Sequence, residues 1–386
     1  MKNIQLLNKI AAVGTDIFDR AEYTVGADVT NPDAIMVRSA AMHDMEFGEN
    51  LQAIARCGAG VNNIPIDRCS DAGIVVFNTP GANANGVKEL AIAAILMASR
   101  DIVGGIDFAR GLKGTEGVAK AVEAGKSAFA GNEILGKKLG VIGLGAIGGM
   151  VANAAATLGM KVMGCDPYLT VEAAWNINHA VQKAATFEDI FKNSDYITLH
   201  VPATKETKNM INAETIAMMR DGVKIINLSR ADLVDATAIK AALESGKVSA
   251  YVTDFPTEEV VDVKGIVAIP HLGASTAESE DNCAIMAAHQ LDEFLKTGNI
   301  KNSVNFPAIS MPHTPGFKRI CIFHKNVPAV LSQISGAFSE QNINIENLLN
   351  RSKGDNAYTL VEVAEVTEAI VEKLAAIDGM IKIRVI

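Results

Sequence analysis

Between residues 138 and 269 the chain alternates strand-length apolar segments with helix-length segments, and this alternation constrains the fold strongly. The expected strands cover residues 138–142, 161–165, 196–200, 223–228, 248–253 and 265–269. The expected helices between them cover residues 147–158, 187–193, 213–219 and 236–245. Strand–helix–strand units place their strands parallel, with helices covering the sheet. The sequence therefore predicts an α/β domain with a doubly wound, Rossmann-like parallel sheet.

A glycine-rich turn follows the first of these strands and precedes an alanine-rich helix. Gly143, Gly145 and Gly148 have the spacing GxGxxG. The first glycine allows a tight turn, the second lets the backbone approach a pyrophosphate, and the third permits close packing of helix on strand. The helix N-terminus offers free N–H groups to phosphate. This context predicts a dinucleotide site.

Asp166 ends the next strand and suits the ribose of a bound dinucleotide. Its carboxylate is expected to accept hydrogen bonds from the adenosine ribose hydroxyls. The same negative charge would repel a 2′-phosphate. We therefore expect NAD rather than NADP as cofactor.

Bulk properties narrow the class of protein further. A chain of 386 residues is longer than one hydrophobic core usually supports, so two or three domains are expected. The net charge of −9 disfavours nucleic acid and anionic membranes as partners. The five cysteines are scattered without metal-ligand spacing, and no apolar run reaches membrane-spanning length. These features predict a cytoplasmic protein with no membrane segment and no metal site.

Polar residues at the ends of the predicted strands are the candidates for chemistry, because ligands bind beyond the carboxyl ends of parallel strands. The candidates are His200, Arg230, Glu258 and His271. Arginine can hold a carboxylate with two hydrogen bonds, histidine can exchange a proton near neutrality, and glutamate can orient the histidine. Such a set suits oxidation of a 2-hydroxy acid. Position alone leaves His200 and His271 as rivals for the acid–base role.

The two ends of the chain predict further domains. Residues 1–93 contain short β and α units, whereas residues 101–135 are glycine-rich and less regular. Three prolines in residues 305–316 indicate a linker. Residues 317–386 follow the order β-α-β-β-α-β of a ferredoxin-like α+β domain.

The motifs together resemble the D-isomer-specific 2-hydroxyacid dehydrogenase family over nearly the whole chain. They are VRSA at 37–40, NTP at 78–80, GLGAIG at 143–148, LHVP at 199–202, NLSR at 227–230, LVD at 233–235, FPTE at 255–258, PHLGAST at 270–276 and NSVNFP at 302–307. The last motif and the C-terminal domain point to the branch that oxidises 3-phosphoglycerate. The resemblance implies catalytic roles for Arg230, Glu258 and His271, and so favours His271 over His200.

The resemblance also implies the remaining site residues and the domain boundaries. Substrate contacts are expected from Arg38, Ser39 and Gly60. Cofactor contacts are expected from Gly143, Gly145, Ala146, Ile147, Gly148, Asp166, His200, Val201, Pro202, Thr207, Ser229, Asp254 and Gly273. The implied domains are a substrate-binding domain at 1–93, completed by 275–304, and an NAD-binding domain at 94–274, with a cleft between them that closes on substrate.

Three departures from the family pattern stand out. The family usually has Asp two residues before Phe255, whereas this chain has Thr253 there and Asp254 one place later. Side chains alternate along a strand, so Asp254 is expected on the opposite face. Ala231 replaces a glycine after the arginine, and residues 111–129 are unlike those of many members.

The C-terminal domain resembles an ACT domain, and the absence of a long domain before it resembles the short form of the family. Its ligand turn matches His324, Asn326 and Pro328, with Asn344 as a further contact, and Ala329 stands where glycine is common. The resemblance implies L-serine as a feedback ligand between paired domains, with assembly alone as the alternative. A homodimer or homotetramer is expected.

The resemblance implies NAD-dependent oxidation of a phosphorylated 2-hydroxy acid as the first step of L-serine biosynthesis. Three alternatives remain. The substrate could be an unphosphorylated acid such as hydroxypyruvate, glyoxylate or 2-oxoglutarate in either redox direction. The chain could instead be an NAD-sensing binding protein, or an amino-acid sensor with a vestigial enzyme.

Overall fold

The computed structural model describes all 386 residues and contains three β-sheets. Contacts divide the chain into two compact units, Met1–Asn83 with Glu280–Ile386, and Ala84–Ser279. None of the helices combines the length and the apolar character that crossing a bilayer requires.

The first unit begins with a five-stranded parallel sheet in the order β2-β1-β3-β4-β5. Its strands are β1 Lys2–Leu7, β2 Tyr23–Gly26, β3 Ala34–Val37, β4 Ala53–Arg56 and β5 Val75–Phe77. Two short helices, α1 Ala12–Thr15 and α2 Ile66–Asp71, connect them. Strand β2 is a four-residue edge strand with mixed exposure.

The second unit is built on a seven-stranded parallel sheet in the order β12-β11-β10-β9-β6-β7-β8. Its strands are β6 Lys138–Ile142, β7 Lys161–Cys165, β8 Gln182–Lys183, β9 Tyr196–Leu199, β10 Val223–Asn227, β11 Val248–Thr253 and β12 Ile266–Ala268. Its helices are α3 Ala84–Ser99, α4 Ile102–Gly111, α5 Val118–Gly125, α6 Ala146–Thr157, α7 Val171–Trp175, α8 Phe187–Asn193, α9 Ala213–Met218 and α10 Ala236–Glu244. The predicted doubly wound sheet is confirmed.

Two details of this unit differ from expectation. Helix α3 packs on α6, β10 and β11, so the predicted boundary between residues 93 and 94 falls inside a helix of the second unit. The expectation of irregular structure at 101–135 was wrong, because α4, α5 and a 3-10 helix at Lys126–Phe129 form there. The Asp101 side chain caps α4 by accepting a hydrogen bond from the Gly104 N–H, which offsets the glycines in that helix.

The C-terminal part of the first unit is a four-stranded antiparallel sheet in the order β14-β15-β13-β16. Its elements are β13 Lys318–Lys325, α12 Val330–Glu340, β14 Ile345–Lys353, β15 Asn356–Val363, α13 Glu368–Ala375 and β16 Met380–Val385. The ferredoxin-like order is confirmed. Helices α12 and α13 cover one face, and Ile334, Phe338 and Leu374 are buried there.

The other face of this sheet packs against the N-terminal sheet and the helix α11 Ala277–Thr297 in one continuous core. Phe323 and Tyr358 of the C-terminal sheet share that core with Phe294 of α11. Hydrogen bonds reinforce it, since Tyr358 donates to the Gly298 carbonyl at 2.8 Å and Lys382 donates to the Leu51 carbonyl at 2.8 Å. The N-terminal and C-terminal sheets therefore form one folded unit.

The segment 305–316, expected as a linker, contributes to the same core. Phe306 and Met311 are buried in it, and Ile309 forms an antiparallel bridge with Ile300. Beside it, Arg319 and Glu362 form a fully buried ion pair at 2.6 Å. Arg319 also donates to the Pro312 carbonyl, so the segment is held by charged hydrogen bonds as well as by packing.

Candidate functional site

The glycine turn between β6 and α6 has no room for a side chain at two of the three motif glycines. Gly143 has φ +88°, and a Cβ atom there would lie 2.5 Å from the His200 carbonyl oxygen. A Cβ atom on Gly148 would lie 1.9 Å from the Gly143 carbonyl oxygen. Open space surrounds the Cβ position of Gly145. The turn is thus closed on the protein side and open where a pyrophosphate would approach.

Helix α6 presents unpaired backbone donors at this opening. Its first internal hydrogen bond runs from the Gly149 N–H to the Gly145 carbonyl, and no side chain caps its start. The N–H groups of Ala146, Ile147 and Gly148 therefore lack partners within the helix. Such donors at a helix N-terminus fit the phosphates of a dinucleotide.

Asp166 lies directly beyond β7 and is fixed beside the glycine turn. One carboxylate oxygen accepts from the Leu144 N–H and the other accepts from the Tyr168 N–H, both at 2.9 Å. Each oxygen keeps a second lone pair for another donor. Asp166 can therefore accept hydrogen bonds from ribose hydroxyls without giving up its present ones.

The loops after β9 and β10 complete this edge of the sheet. Thr207 donates to the Pro202 carbonyl at 2.6 Å, and Ser229 donates to the Leu199 carbonyl at 2.7 Å. The Val201 side chain lies against Gly143, within 2.9 Å of its Cβ position. These contacts hold the loops close to the glycine turn.

His200 is unsuited to exchanging protons near neutral pH. Burial lowers its pKa to about 4, so the ring is neutral at physiological pH. Its Nε2 is hydrogen bonded to the Thr198 hydroxyl at 2.9 Å, and its carbonyl faces Gly143. On physical grounds this residue supports the turn, and His271 stays the predicted acid–base residue.

Arg230 and His271 meet at the ring of Phe255. The three residues follow β10, β12 and β11, which are neighbours in the sheet. The Phe255 and His271 ring centroids are 4.5 Å apart, and the Arg230 guanidinium carbon lies 5.6 Å from the Phe255 centroid. Arg230 and His271 are both exposed and can reach a ligand. Phe255 was missed as a site residue, although its place directly beyond β11 was a usable signal.

Glu258 lies on the loop after β11, three residues beyond Phe255. It borders a cavity of about 430 Å³ that other acids also line, namely Asp232, Asp235 and Glu259. His271 has Phe255 and Ser275 as its neighbours, and no hydrogen bond or ion pair connects it to Glu258. Phe255, which Arg230 and His271 flank, lines the same cavity as Glu258, although no hydrogen bond joins Glu258 to either of them.

Asp254 carries a buried carboxylate at the centre of the site. The residue is 1% exposed, and its Oδ2 accepts from the Gly273 N–H at 3.3 Å. Its Oδ1 is buried without a hydrogen-bond partner. Burial raises the pKa of Asp254, while the nearby His271 and Arg230 act in the opposite direction. An unpaired buried acceptor of this kind fits a ligand donor such as a carboxamide N–H.

Thr253, which occupies the family's usual aspartate position, is turned into the protein. It is fully buried, and its hydroxyl accepts from the Phe255 N–H at 3.1 Å. The two residues therefore do have different surroundings, as alternation along a strand predicts.

In the first unit, two arginines end neighbouring strands. Arg38 follows β3 and forms an ion pair with Glu280 at 2.6 Å. Arg56 ends β4, where it pairs in register with Val37, and its Nε is buried without a partner. Burial is the main reason that the Arg56 pKa is lowered, and Arg38 adds to the effect. Arg56 was missed, although it stands four residues before Gly60 at a strand end.

Hydrogen bonds to the Asn8 side chain also hold the backbone that follows Arg38. Asn8, which has φ +74°, accepts from the N–H groups of Ser39 and Ala40 at 3.0 and 2.8 Å. A Cβ atom on Gly58 would lie 1.4 Å from Arg56 Nη1, so the guanidinium occupies the space that a side chain there would need. The Gly58–Gly60 segment and the two arginines thus form a compact cationic corner of this unit.

The predicted effector turn follows β13. His324 is 2% exposed and both ring nitrogens are hydrogen bonded, to the Lys325 carbonyl and the Thr359 hydroxyl. Asn326 donates from its side chain to the Gly354 carbonyl at 3.1 Å, and Asn344 is exposed. Ala329 adopts φ +68°, the left-handed region that favours glycine. The turn therefore keeps a glycine-type conformation despite the substitution.

Comparison with known proteins places the chain. Residues 92–275 match the family model described as D-isomer specific 2-hydroxyacid dehydrogenase, NAD binding domain. A D-3-phosphoglycerate dehydrogenase of Haemophilus influenzae is 32% identical, over 89% of this chain and 83% of the relative. The chain belongs to the D-isomer-specific 2-hydroxyacid dehydrogenase family. As a member of that family it uses NAD as cofactor.

A second relative, a solved structure and a second family model also match this family member. The D-3-phosphoglycerate dehydrogenase of Bacillus subtilis is 34% identical over 80% of this chain, which spans only 57% of that relative. The structure of NAD⁺-bound 3-phosphoglycerate dehydrogenase from Entamoeba histolytica superposes with a TM-score of 0.60 at 28% identity, covering 79% of this chain and 98% of that one. Residues 320–382 match an ACT domain model of the AHAS small subunit type.

Proposed function

We propose that this family member oxidises 3-phospho-D-glycerate at C2 with NAD, giving 3-phosphohydroxypyruvate, and so performs the first step of L-serine biosynthesis. The observation that carries the proposal is the pair Arg230 and His271, both packed against Phe255 beyond neighbouring strands. One cation to hold a carboxylate and one proton acceptor beside it suit a 2-hydroxy acid. The choice of 3-phosphoglycerate as the substrate is based on the names of the Haemophilus and Bacillus relatives.

In this mechanism each residue has a distinct role. Arg230 binds the substrate carboxylate and polarises the C2 oxygen through its planar fork of donors. His271 accepts the proton of the C2 hydroxyl, and Glu258 orients His271 when substrate is bound. NAD, when bound, supplies the acceptor for the hydride that leaves C2. Exposure of Arg230 and His271 supports these roles, since neither side chain is enclosed by protein.

The cofactor is proposed to lie along the edge formed by the glycine turn and the loops after β7, β9, β10 and β12. The residues assigned to it are Gly143, Gly145, Ala146, Ile147, Gly148, Asp166, His200, Val201, Pro202, Thr207, Ser229, Asp254 and Gly273. The free N–H groups of α6 and the spare lone pairs of Asp166 support the pyrophosphate and ribose assignments.

The phosphate is proposed to bind the cationic corner of the first unit. Arg38, Ser39 and Gly60 are assigned to substrate, and Arg56 joins them because its Nε is an unpaired buried donor. Glu280 partly neutralises the charge of Arg38, so Arg56 is needed as a second cation for a dianionic phosphate.

The C-terminal domain is proposed to bind L-serine through His324, Asn326 and Asn344 in a homodimer or homotetramer. Its match to an ACT domain model supports a regulatory ligand. We also propose that the enzyme works in the cytoplasm, which the five free cysteines support.

The test follows NADH oxidation with 3-phosphohydroxypyruvate, hydroxypyruvate and 2-oxoglutarate, each with and without L-serine. A kcat/KM at least about a hundredfold higher for the phosphorylated acid is expected, because charged hydrogen bonds from two arginines are lost without the phosphate. Equal rates would move the enzyme to unphosphorylated 2-hydroxy acids. The absence of turnover with every acid would contradict the enzymatic proposal.

A further inference from the structure

The last residue of β10, Asn227, carries a fully buried amide close to the candidate site. In the parallel sheet it lies in register between Leu199 of β9 and Thr253 of β11. Three residues later the chain reaches Arg230, the residue proposed to hold the substrate carboxylate. A polar side chain buried at this position is expected to have hydrogen-bond partners, and those partners define what it does.

The Asn227 amide uses its oxygen and its nitrogen to bind the turn that carries Arg230. Its Oδ1 accepts from the Ser229 N–H at 3.1 Å. Its Nδ2 donates to the Arg230 carbonyl at 2.8 Å and to the Tyr251 hydroxyl at 3.3 Å. The opposite amide orientation would place two acceptors together at Arg230 and two donors together at Ser229, so the contacts fix one orientation. The side chain therefore holds the backbone both at Arg230 and directly before it.

The neighbouring strands hold the same turn. On one side, the Ser229 hydroxyl donates to the carbonyl of Leu199, the last residue of β9, at 2.7 Å. On the other side, the hydroxyl that accepts from Asn227 belongs to Tyr251 of β11, which is 3% exposed. Side-chain hydrogen bonds thus tie the turn to three adjacent strands of the sheet.

The position of this turn determines where the guanidinium of Arg230 lies. Its Nη1 donates to the Ser229 carbonyl at 2.6 Å, so the guanidinium follows the backbone of the turn. Its carbon lies 5.6 Å from the centroid of the Phe255 ring. Phe255 is held in a corresponding way, because its N–H donates to the hydroxyl of Thr253, which is paired in register with Asn227. Two paired strand-end residues therefore hold the two partners of the Arg230–Phe255 contact.

We propose that Asn227 is a positioning residue that places the Arg230 guanidinium where the substrate carboxylate binds. Arg230 has to hold the carboxylate and polarise the C2 oxygen at the same time, so its donors need a defined position before substrate arrives. Asn227 acts through the backbone of the turn and does not itself touch the substrate. The inference rests on the proposed function, because it concerns the binding step that Arg230 performs there.

Replacement of the amide should weaken substrate binding and turnover together. Asn227→Ala removes all three hydrogen bonds and leaves the Arg230 carbonyl without its donor. Misplacement of a binding group by about 1 Å can cost about a hundredfold in rate. We therefore expect kcat/KM for 3-phosphohydroxypyruvate to fall by about ten- to a hundredfold, with a higher KM and a lower kcat. The dissociation constant of NADH should change far less, because the glycine turn and Asp166 remain intact.

Asn305→Ala provides a matched control for loss of stability, because Asn305 is 6% exposed and makes the same three kinds of hydrogen bond in the first unit. It accepts from the Val76 N–H at 2.9 Å and donates to the Ile74 carbonyl at 2.9 Å and the Ser70 hydroxyl at 3.2 Å. This variant should lose stability but keep the kcat/KM of the parent. The inference is overturned if Asn227→Ala keeps it too, or if both variants lose equally. A loss confined to NADH binding would also overturn it.

A second measurement does not depend on turnover. Crystal structures of the parent and of Asn227→Ala are compared, and the Arg230 Cα atom should move by about 1 Å or more from its place beside Phe255. An unchanged turn would contradict the inference even if no acid is turned over, whereas inactivity of the parent protein would count only against the proposed function. Asn227→Leu, which keeps most of the side-chain volume, provides the same comparison if the Ala variant does not fold.

Discussion

The guanidinium of Arg38 lies 2.6 Å from the carboxylate of Glu280, so the cation assigned to substrate phosphate already has an anionic partner. Both side chains are partly exposed, which keeps the pair weak and open to competition. A phosphate that binds Arg38 must displace Glu280 from the guanidinium or share the guanidinium with it.

Glu280→Gln should therefore improve binding of the phosphorylated acid. An exposed ion pair is worth about 0.2–1 kcal/mol, so KM should fall by up to about fivefold. Steady-state kinetics with 3-phosphohydroxypyruvate measures this, and hydroxypyruvate and Glu49→Gln serve as controls whose KM stays constant. An increase in KM for the phosphorylated acid would show that Glu280 positions Arg38 for binding.

The two histidines at strand ends should respond differently to mutation. His271→Ala should lower kcat by about 10²–10⁴-fold while NADH still binds, because the proton acceptor is lost. His200→Asn should retain the acid limb of the pH profile, since the His200 ring, with a pKa of about 4, is already neutral. Loss of NADH binding in His271→Ala would make that residue structural, and loss of the acid limb in His200→Asn would reverse the assignment.

Asp166 should determine the choice between NAD and NADP. Asp166→Ala should raise KM for NAD by at least about tenfold, because hydrogen bonds from ribose hydroxyls to a charged acceptor are lost. It should also relax the exclusion of NADP, since the repelling charge is gone. Asp166→Asn, which can still accept from the Leu144 N–H, controls for disruption of the turn. An unchanged cofactor preference would contradict the ribose assignment.

The buried Arg319–Glu362 pair should make stability sensitive to mutation. Arg319→Met should lower the free energy of unfolding by about 3–5 kcal/mol, because Glu362 is left as an uncompensated buried charge. The double variant Arg319→Met/Glu362→Leu should recover much of the loss. Urea unfolding measures both. A single variant as stable as the parent would mean that Glu362 becomes protonated or hydrated.

The same pair predicts an acid transition. Burial opposes ionisation of Glu362, but hydrogen bonds from Thr314, Arg319 and Asn347 hold its pKa at about 2. A folded-state pKa below the unfolded value of about 4.3 gives stability that is present above that value. It is lost as the pH falls from there towards 2. Thermal melting across this range should show a smaller decrease in the Glu362→Leu double variant than in the parent.

Local patterns in the sequence were sufficient to predict the parallel sheet of the second unit and the glycine turn. Alternation identified the strands of the second unit because each strand is a short buried segment between helices. The helices α4 and α5 were missed, since their segments contain several glycines and neither helix buries a residue. The contacts of helix α3 with β10 and β11 depend on distant residues, so the unit to which this helix belongs could not be assigned from the sequence.

The site shows the same division between local and distant information. Strand ends located Arg230 and His271, because parallel strands share one edge. Phe255 and Arg56 were missed, since an aromatic ring between an arginine and a histidine and an unpaired buried Nε are visible only in three dimensions. The family motif associates Glu258 with His271, but no hydrogen bond joins the two residues, and Glu258 borders a cavity that Phe255 and other acids also line. Its catalytic role stays a prediction.

The C-terminal sheet contributes Phe323 and Tyr358 to the same core as Phe294 and Phe306. A shortened chain ending near residue 316 would leave aromatic rings of the N-terminal unit in contact with water. Such a fragment should aggregate when expressed alone. In this protein the ACT domain is therefore not an independent module. A homologue without it would need polar residues in place of the apolar ones that the domain covers.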